Sequence, residues 1–186
     1  MKLVIIMIQT YKELEKQYRS DYRIKKAIAD GKLFKIDRGL YSDKRFAHPL
    51  EVIGKKYPYA IFTMDSAFYF HGLTDVIPDK NYLAVKRDSA KIVNSNIVQV
   101  FVLEKLLSIG KTAITFDGVV VNAYNKERML IELVRNKKRM AFDYYKEIVN
   151  SYRNKINELS VQDIEEYSGK FDTEDYIFRT IQEEIF

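Results

Sequence analysis

The residues of this sequence best placed to do chemistry are six cations between residues 21 and 45. Three would lie on one short helix and three in or just before a hairpin: Arg23, Lys25 and Lys26, then Lys32, Lys35 and Arg38. Cations near the amino end of a helix are what a helix-turn-helix inserts into the major groove of DNA. The spacing therefore predicts a DNA-binding face, and Arg23 is the best candidate for a bidentate contact to a base.

Charge is unevenly distributed over the 186 residues, whose formal net charge is +5. Residues 11–45 hold eleven Lys/Arg against six Asp/Glu, and residues 125–155 hold nine against four, whereas residues 156–186 hold two against nine. A basic block is most often a solvated helix face. It indicates a polyanionic partner only if its side chains project from one structural element, so charge alone leaves the two interpretations about equal.

The second basic block contains a possible secondary patch between two predicted helices, formed by Arg135, Lys137, Lys138 and Arg139. A run of this kind is most often a solvated loop. The functional alternative is that it extends the positive face toward flanking DNA, or contacts RNA. Three tyrosines nearby could stack on bases, but their spacing is compatible with helical burial and favours a place in the core; they are Tyr144, Tyr145 and Tyr152.

No constellation of residues points to catalysis. The sequence contains no phosphate-binding loop, no nucleophile elbow, no H-E-x-x-H and no Gly-Ser followed by paired aspartates. Cysteine is absent and only His48 and His71 occur, which excludes thiolate and polyhistidine metal centres. We expect His71 to be a hydrogen-bonded structural histidine at a helix end. Asp172, Glu174 and Asp175 could bind a cation, but we expect them to start the last helix, where negative charge suits the helix dipole. The sequence therefore predicts no enzyme activity, no cofactor and no metal.

The periodicity of apolar residues predicts the elements that position the six cations of the candidate DNA-binding face. Residues 11–20 predict a short helix, and Asp21 is expected to cap a second helix that ends at Gly31. The apolar side of the second helix is predicted to contain Tyr22, Ile24, Ala27 and Ile28. Residues 32–42 then alternate as a hairpin that turns at Gly39. Helix, turn, helix and basic hairpin in this order fit a winged helix-turn-helix, and the alternative is a packed subdomain with ordinary surface lysines.

The rest of the chain predicts short strands among helices. We expect a helix over 49–56, strands near 59–62, 81–85 and 97–102, a hairpin over 112–124 that turns at Asp117 and Gly118, and helices over 126–136, 143–157, 160–168 and 173–185. The predicted fold class is α+β. A winged helix-turn-helix-like module over residues 1–45 precedes a domain over residues 46–186 with a small mixed sheet and a helical carboxyl-terminal part.

Leu3 to Ile8 form an apolar, mostly β-branched run behind Lys2 that is too short to cross a bilayer, which takes roughly 20 residues. They also lack the features of a secretory signal. We therefore expect a cytoplasmic protein without a membrane partner. The β-branched run favours extended structure over a helix.

Three stretches of the chain carry a resemblance to a known family. GKLFKIDRGLYSD (31–43), preceded by YRIKKAIAD (22–30), resembles the wing of the AbiEi family of antitoxins. YAIFTMDSAFYFHGLTD (59–75) and YNKERMLIELVRNKKRMAFDYYKEIVNSY (124–152) resemble the family's carboxyl-terminal antitoxin domain. Together the similarity covers roughly residues 10–186. Family members usually have a complete helix ahead of the one at 11–20, where this chain has only Met1 to Gln9.

The resemblance implies a regulator from abortive-infection, type IV toxin–antitoxin operons that act in phage defence. Its winged helix-turn-helix would bind inverted repeats in the operon's own promoter, and its second domain would carry antitoxicity. The partner gene would encode a nucleotidyltransferase-like toxin, whose catalytic motif this chain lacks. We therefore expect an autorepressor and antitoxin. The alternative is an interaction protein that neutralises a toxin and keeps only a vestigial DNA-binding module.

Overall fold

The structure, a computed structural model, describes residues 8–186 and contains both helices and strands, which confirms the predicted α+β class. Of the predicted apolar segment at the amino end, residues 1–7 lie outside the described part of the chain. No helix within the described part has the length and apolar character needed to cross a membrane.

Contacts within the chain group its residues into two units. The first unit contains residues 8–59 and 115–121, and the second contains residues 60–114 and 122–186. The predicted domain boundary after residue 45 precedes a helix that this grouping includes in the first unit.

The first unit has the predicted order of helix, turn, helix and hairpin, with one strand ahead of it and one helix after it. Its elements are β1 (Ile8–Thr10), α1 (Tyr11–Tyr18), α2 (Asp21–Ala29), β2 (Phe34–Asp37), β3 (Leu40–Ser42) and α3 (Pro49–Lys56). The three strands form an antiparallel sheet in the order β1-β3-β2. The β-branched Ile8 thus belongs to a strand, as the sequence predicts for this run.

A small apolar core fixes the two helices of the first unit. Leu14 of α1 packs with Ile24 and Ala27 of α2 and with Leu33, which leads into β2. The turn between the helices is short because Arg19 adopts a left-handed conformation, with φ +55°, and ends α1. Thr10 and Glu13 form a reciprocal capping box at the start of α1.

Three details of α2 differ from the prediction, one of which is that Ile28, predicted on the apolar side, is 37% exposed. Ser20 occupies the N-cap position, where its side chain forms no capping hydrogen bond within the described chain, and Asp21 is the first residue of the helix. Tyr22 is 72% exposed, although the sequence pattern predicts it on the apolar side. It lies two residues before the buried Ile24, and two residues turn a helix by about 200°, so the two side chains project from opposite faces.

The hairpin of β2 and β3 turns at Gly39, whose φ of +77° favours glycine. The register shifts between Lys35 and Asp37, so Ile36 forms a bulge. The backbone N–H of Tyr11 donates to the Gly39 carbonyl over 3.2 Å. This hydrogen bond ties the tip of the hairpin to the start of α1.

The second unit is built on a mixed five-stranded sheet with helices, as predicted. Its elements are β4 (Ile61–Phe62), α4 (Met64–Phe70), β5 (Asn81–Lys86), β6 (Ile97–Val102), α5 (Glu104–Leu107), β7 (Lys111–Phe116), β8 (Val119–Tyr124), α6 (Lys126–Asn136), α7 (Phe142–Asn154), α8 (Val161–Ser168) and α9 (Glu174–Glu184). The strand order is β6-β5-β4-β8-β7, which leaves β6 and β7 at the edges. The outer part of the β7–β8 hairpin is grouped with the first unit.

The core of the second unit lies around α6, whose residues from Met129 to Val134 are buried on every side. Helices α4, α7, α8 and α9 contribute apolar residues to the same cluster. Gly110 is required close to α6, because a Cβ there would lie 2.4 Å from Cβ of Arg128 and its φ is +71°. The chain therefore passes against α6 at a point where no side chain fits.

Candidate nucleic-acid interface

The solvent face of α2 contains three of the predicted site residues. Ile24 and Ala27 face the core, and Arg23, Lys25 and Lys26 are exposed. Tyr22 and Lys26 are four residues apart, so they are neighbours at the middle of this face. Tyr22 is the residue that sequence reasoning missed, and its angular distance from Ile24 was the signal that could have found it.

Two of the six predicted cations are already paired with carboxylates close by in sequence. Lys25 Nζ lies 2.7 Å from Asp21, one helical turn earlier, and this contact raises the pKa of Lys25. Lys32 Nζ lies 3.7 Å from Asp30. Both pairs are exposed, so they are worth little in stability, but each lowers the local positive charge.

The other four predicted cations are exposed and form no ion pair with any of the residues from 8 to 186. They are Arg23 and Lys26 on α2, Lys35 on β2 and Arg38 at the tip of the hairpin. The helix pair and the hairpin pair lie on separate elements. The link between them is the backbone, since the N–H groups of Lys32 and Leu33 both donate to the Ala27 carbonyl at the end of α2.

Two lysines of α3 neutralise carboxylates of the helix-turn-helix and hairpin. Lys55 Nζ lies 2.7 Å from Glu13 and, with Thr10, lowers the pKa of that carboxyl to about 2. Lys56 Nζ lies 2.5 Å from Asp37 and lowers its pKa. As a result, neither carboxylate is an uncompensated negative charge beside the exposed cations.

The predicted secondary patch does not stay together as one set. Lys137 forms an ion pair with Glu184 and lies over the Tyr145 ring, away from the others. Arg135, Lys138 and Arg139 line one hollow of about 450 Å³ in the second unit. Lys138 and Arg139 are exposed and have no ion pair within the described chain.

Arg135 belongs to a partly buried triad of charges. Glu132 accepts hydrogen bonds from Arg128 at 2.8 and 3.1 Å and from Arg135 at 2.9 and 3.0 Å. The guanidinium groups of both arginines also lie over the ring of Phe171. Arg128 is fully buried and donates to the carbonyls of Leu106 and Ile109. The single carboxylate thus serves two cations, and the surplus positive charge is at Arg135.

The remaining chemically notable side chains serve structural roles. Nε2 of His71 donates to the Tyr124 carbonyl over 2.7 Å, and burial lowers the pKa of this imidazole. Tyr145 and Tyr152 are buried in the core of the second unit, as expected, and Tyr144 donates to Asp65. The acidic residues after Phe171 surround the start of α9, where negative charge is favourable.

Comparison with family models and curated proteins assigns no family or function to this chain. No model of a known protein family matches this chain, and a search of curated proteins found no match.

Proposed function

We propose that this chain is a DNA-binding transcriptional autorepressor that acts through its first unit and is also the antitoxin of a type IV toxin–antitoxin operon. The observation that carries the DNA-binding part is the set of four exposed cations on α2 and the following hairpin that form no ion pair with any of residues 8–186. The AbiEi-like stretches of sequence support the antitoxin part. The operator would be inverted repeats in the operon's promoter, and the toxin a nucleotidyltransferase-like protein.

The four cations divide into two roles under this proposal. Arg23 and Lys26 lie in a helix whose amino-terminal half would enter the major groove, so they would contact base edges. Lys35 and Arg38 lie on the hairpin and would contact phosphates of the backbone. Lys25 and Lys32 would contribute less, because Asp21 and Asp30 compete with the phosphates for them. Tyr22 would add an apolar contact beside Lys26.

The test is the salt dependence of binding to duplex DNA from directly upstream of the chain's own gene, compared with random duplex of the same length. Each phosphate contact lowers the slope of log K against log salt concentration by about 0.9, so the two phosphate contacts of Lys35 and Arg38 give a slope of about −1.8 for each copy of the chain bound. Binding that does not respond to salt, or no binding at low salt, would refute the proposal.

Single alanine variants separate the two roles. Arg23→Ala and Lys26→Ala should weaken binding to upstream DNA by ~1 to 3 kcal/mol and affect random DNA less. Lys35→Ala and Arg38→Ala should weaken binding to both DNAs alike. Lys91→Ala is the matched control, since it removes one exposed lysine from the second unit. Equal losses on both DNAs for all four variants would show that α2 reads no base.

The antitoxin part requires a separate test. A chain in which all four cations are replaced by alanine should lose repression of a promoter reporter, and should still restore growth to cells that express the toxin. This outcome places the two activities on different residues. Loss of both activities would contradict that separation. Retained repression with the quadruple variant would refute the role given to these cations. Growth restored by the unaltered chain without repression of the reporter would favour the alternative, in which the chain is a toxin-neutralising protein with a vestigial module.

A further inference from the structure

We propose that the second unit has a binding groove for single-stranded nucleic acid, formed between the edge strand β6 and the cations at and after the end of α6. The groove consists of the hollow of about 450 Å³ beside Arg135, Lys138 and Arg139, together with a smaller one of about 130 Å³. The two hollows share Arg135, Leu103 and Leu106, so they adjoin. All of the lining residues belong to the second unit, and none belongs to α2 or its hairpin.

The first argument is charge. Lys138 and Arg139 line the larger hollow without an ion pair in the described chain, and the smaller hollow is lined by the exposed Lys105 and Lys170. Glu132 does not cancel this charge, because it is shared with the buried Arg128. The one other carboxylate among the lining residues is that of Asp172. Proteins that bind single strands hold the nucleic-acid backbone in a groove lined by cations in this way.

The second argument is the geometry of β6. Four consecutive residues from Val100 to Leu103 line the larger hollow. Side chains of a strand alternate between its faces, so a hollow on one face would touch every second residue. Lining by three consecutive residues of β6, Val100 to Val102, fits a hollow that runs along the edge of the strand. Within residues 8–186, β6 has β5 as its only neighbouring strand.

The outward backbone groups of this edge can be assigned. The Val102 carbonyl accepts from the Arg87 N–H, so the backbone of Val102 points toward β5. Successive residues of a strand point their N–H and C=O groups in opposite directions. The N–H and C=O of Phe101 therefore point outward, and no residue of the described chain hydrogen-bonds to them. One donor and one acceptor side by side suit the edge of a nucleobase.

The third argument concerns Phe101, which lines the larger hollow and whose side chain is 51% exposed. Aromatic rings stack on bases that are not already stacked, as in a single strand. A duplex would offer the groove its phosphates but would leave both the ring and the backbone edge unused. Together, the cations, the ring and the edge favour a single strand, whether RNA or DNA.

The experiment measures fluorescence anisotropy of labelled ten-residue oligomers of uridylate and of deoxythymidylate, titrated with the full chain in about 50 mM salt. Both should bind, and the salt slope should weaken by about 1.4 in the Lys138→Ala/Arg139→Ala double variant, at about 0.7 per contact. Phe101→Ala should weaken binding about ten-fold, and Phe101→Tyr, which keeps an aromatic ring, should retain it. Tighter binding of uridylate would assign a role to the 2′-hydroxyl, and equal binding would leave the groove indifferent to the sugar.

Two controls make the result specific. Lys80→Ala/Lys91→Ala removes two exposed lysines of the same unit that do not line the groove, and should leave binding unchanged. The variant without the four cations of the first unit should also keep single-strand binding, which separates this proposal from the repressor proposal. The groove proposal fails if neither oligomer binds, or if the groove variants behave like the control. It also fails if polyglutamate of equal length displaces the oligomers as well as unlabelled oligomer does, because the groove would then recognise an acidic peptide.

Discussion

Glu132→Gln is expected to destabilise the second unit far more than its loss of one charge suggests. The substitution keeps the shape of the side chain but removes the only carboxylate within residues 8–186 that contacts both Arg128 and Arg135. Arg135 is 36% exposed and can turn toward water, whereas Arg128 has no exposed surface. The buried guanidinium would keep two backbone carbonyls as partners, at 2.9 and 3.3 Å, but no negative charge.

Removing one partner from a buried ion pair costs about 3 to 5 kcal/mol, because the other charge remains buried without compensation. We therefore expect a loss of this size in the free energy of unfolding. Added salt should change the loss little, since ions do not screen a buried pair as they screen an exposed one. Glu104→Gln is the matched control. It breaks an exposed pair with Lys86 at a similar distance of 2.9 Å and should cost less than about 1 kcal/mol.

The assay is urea unfolding followed by far-ultraviolet circular dichroism, with an unchanged dependence on urea as the check that the folded state is comparable. The same substitution made in an Arg128→Met background isolates the pairwise energy. If the buried cation is the cause, Glu132→Gln should cost under about 1 kcal/mol in that background. A loss for Glu132→Gln as small as that for Glu104→Gln, or an equal loss with and without Arg128, would refute the reasoning.

Other contacts support three more predictions. Gly110→Ala should lower the free energy of unfolding by more than about 2 kcal/mol, because the new methyl group would clash with Arg128 and the backbone has a positive φ. Gly54→Ala within α3 is the control, since a Cβ there meets no atom within 4 Å and should stabilise the chain by about 0.5 to 1 kcal/mol. Thermal unfolding compares the two variants. Because its pKa is lowered, the ionised carboxylate of Glu13 stabilises the first unit above pH 4.5, and this contribution should be lost as the pH falls toward 2. When stability is measured at decreasing pH, the Glu13→Gln variant should not show this loss. The lowered pKa of His71 favours the neutral imidazole in the folded chain, so stability should fall as the pH falls below 6.5. An NMR titration of the ring protons, assigned with His71→Asn, measures this pKa. A titration midpoint at or above 6.5 would contradict the prediction.

Local signals predicted many elements of the fold to within a residue or two. Pro49 at the first position of α3, Asn125 at the cap of α6 and the Asp117–Gly118 turn with both φ angles positive are each determined by a few adjacent residues. The four-residue helix α5 was missed, because one turn carries no periodicity. The choice of Asp21 over Ser20 as the cap of α2 was wrong by one residue, since both are good capping residues.

The candidate sites were less predictable, because charge on a sequence does not reveal which charges are paired. Lys25 and Lys32 have carboxylates within four residues, a signal that was present in the sequence. The burial of Arg128 depends on the distant ring of Phe171 and on carbonyls of another segment, which no local pattern encodes. Likewise, the groove beside β6 exists because that strand is at the edge of the sheet, and strand order is a non-local property.

The pairing of Lys55 with Glu13 and of Lys56 with Asp37 has a practical consequence for isolating the DNA-binding part. A fragment cut after residue 45 would retain every candidate cation of the helix and hairpin yet discard both counterions supplied by α3. The two orphaned carboxylates would then repel a phosphate backbone, and such a fragment would understate the affinity of the intact chain. A fragment made for DNA-binding measurements should therefore include α3, whose lysines neutralise Glu13 and Asp37.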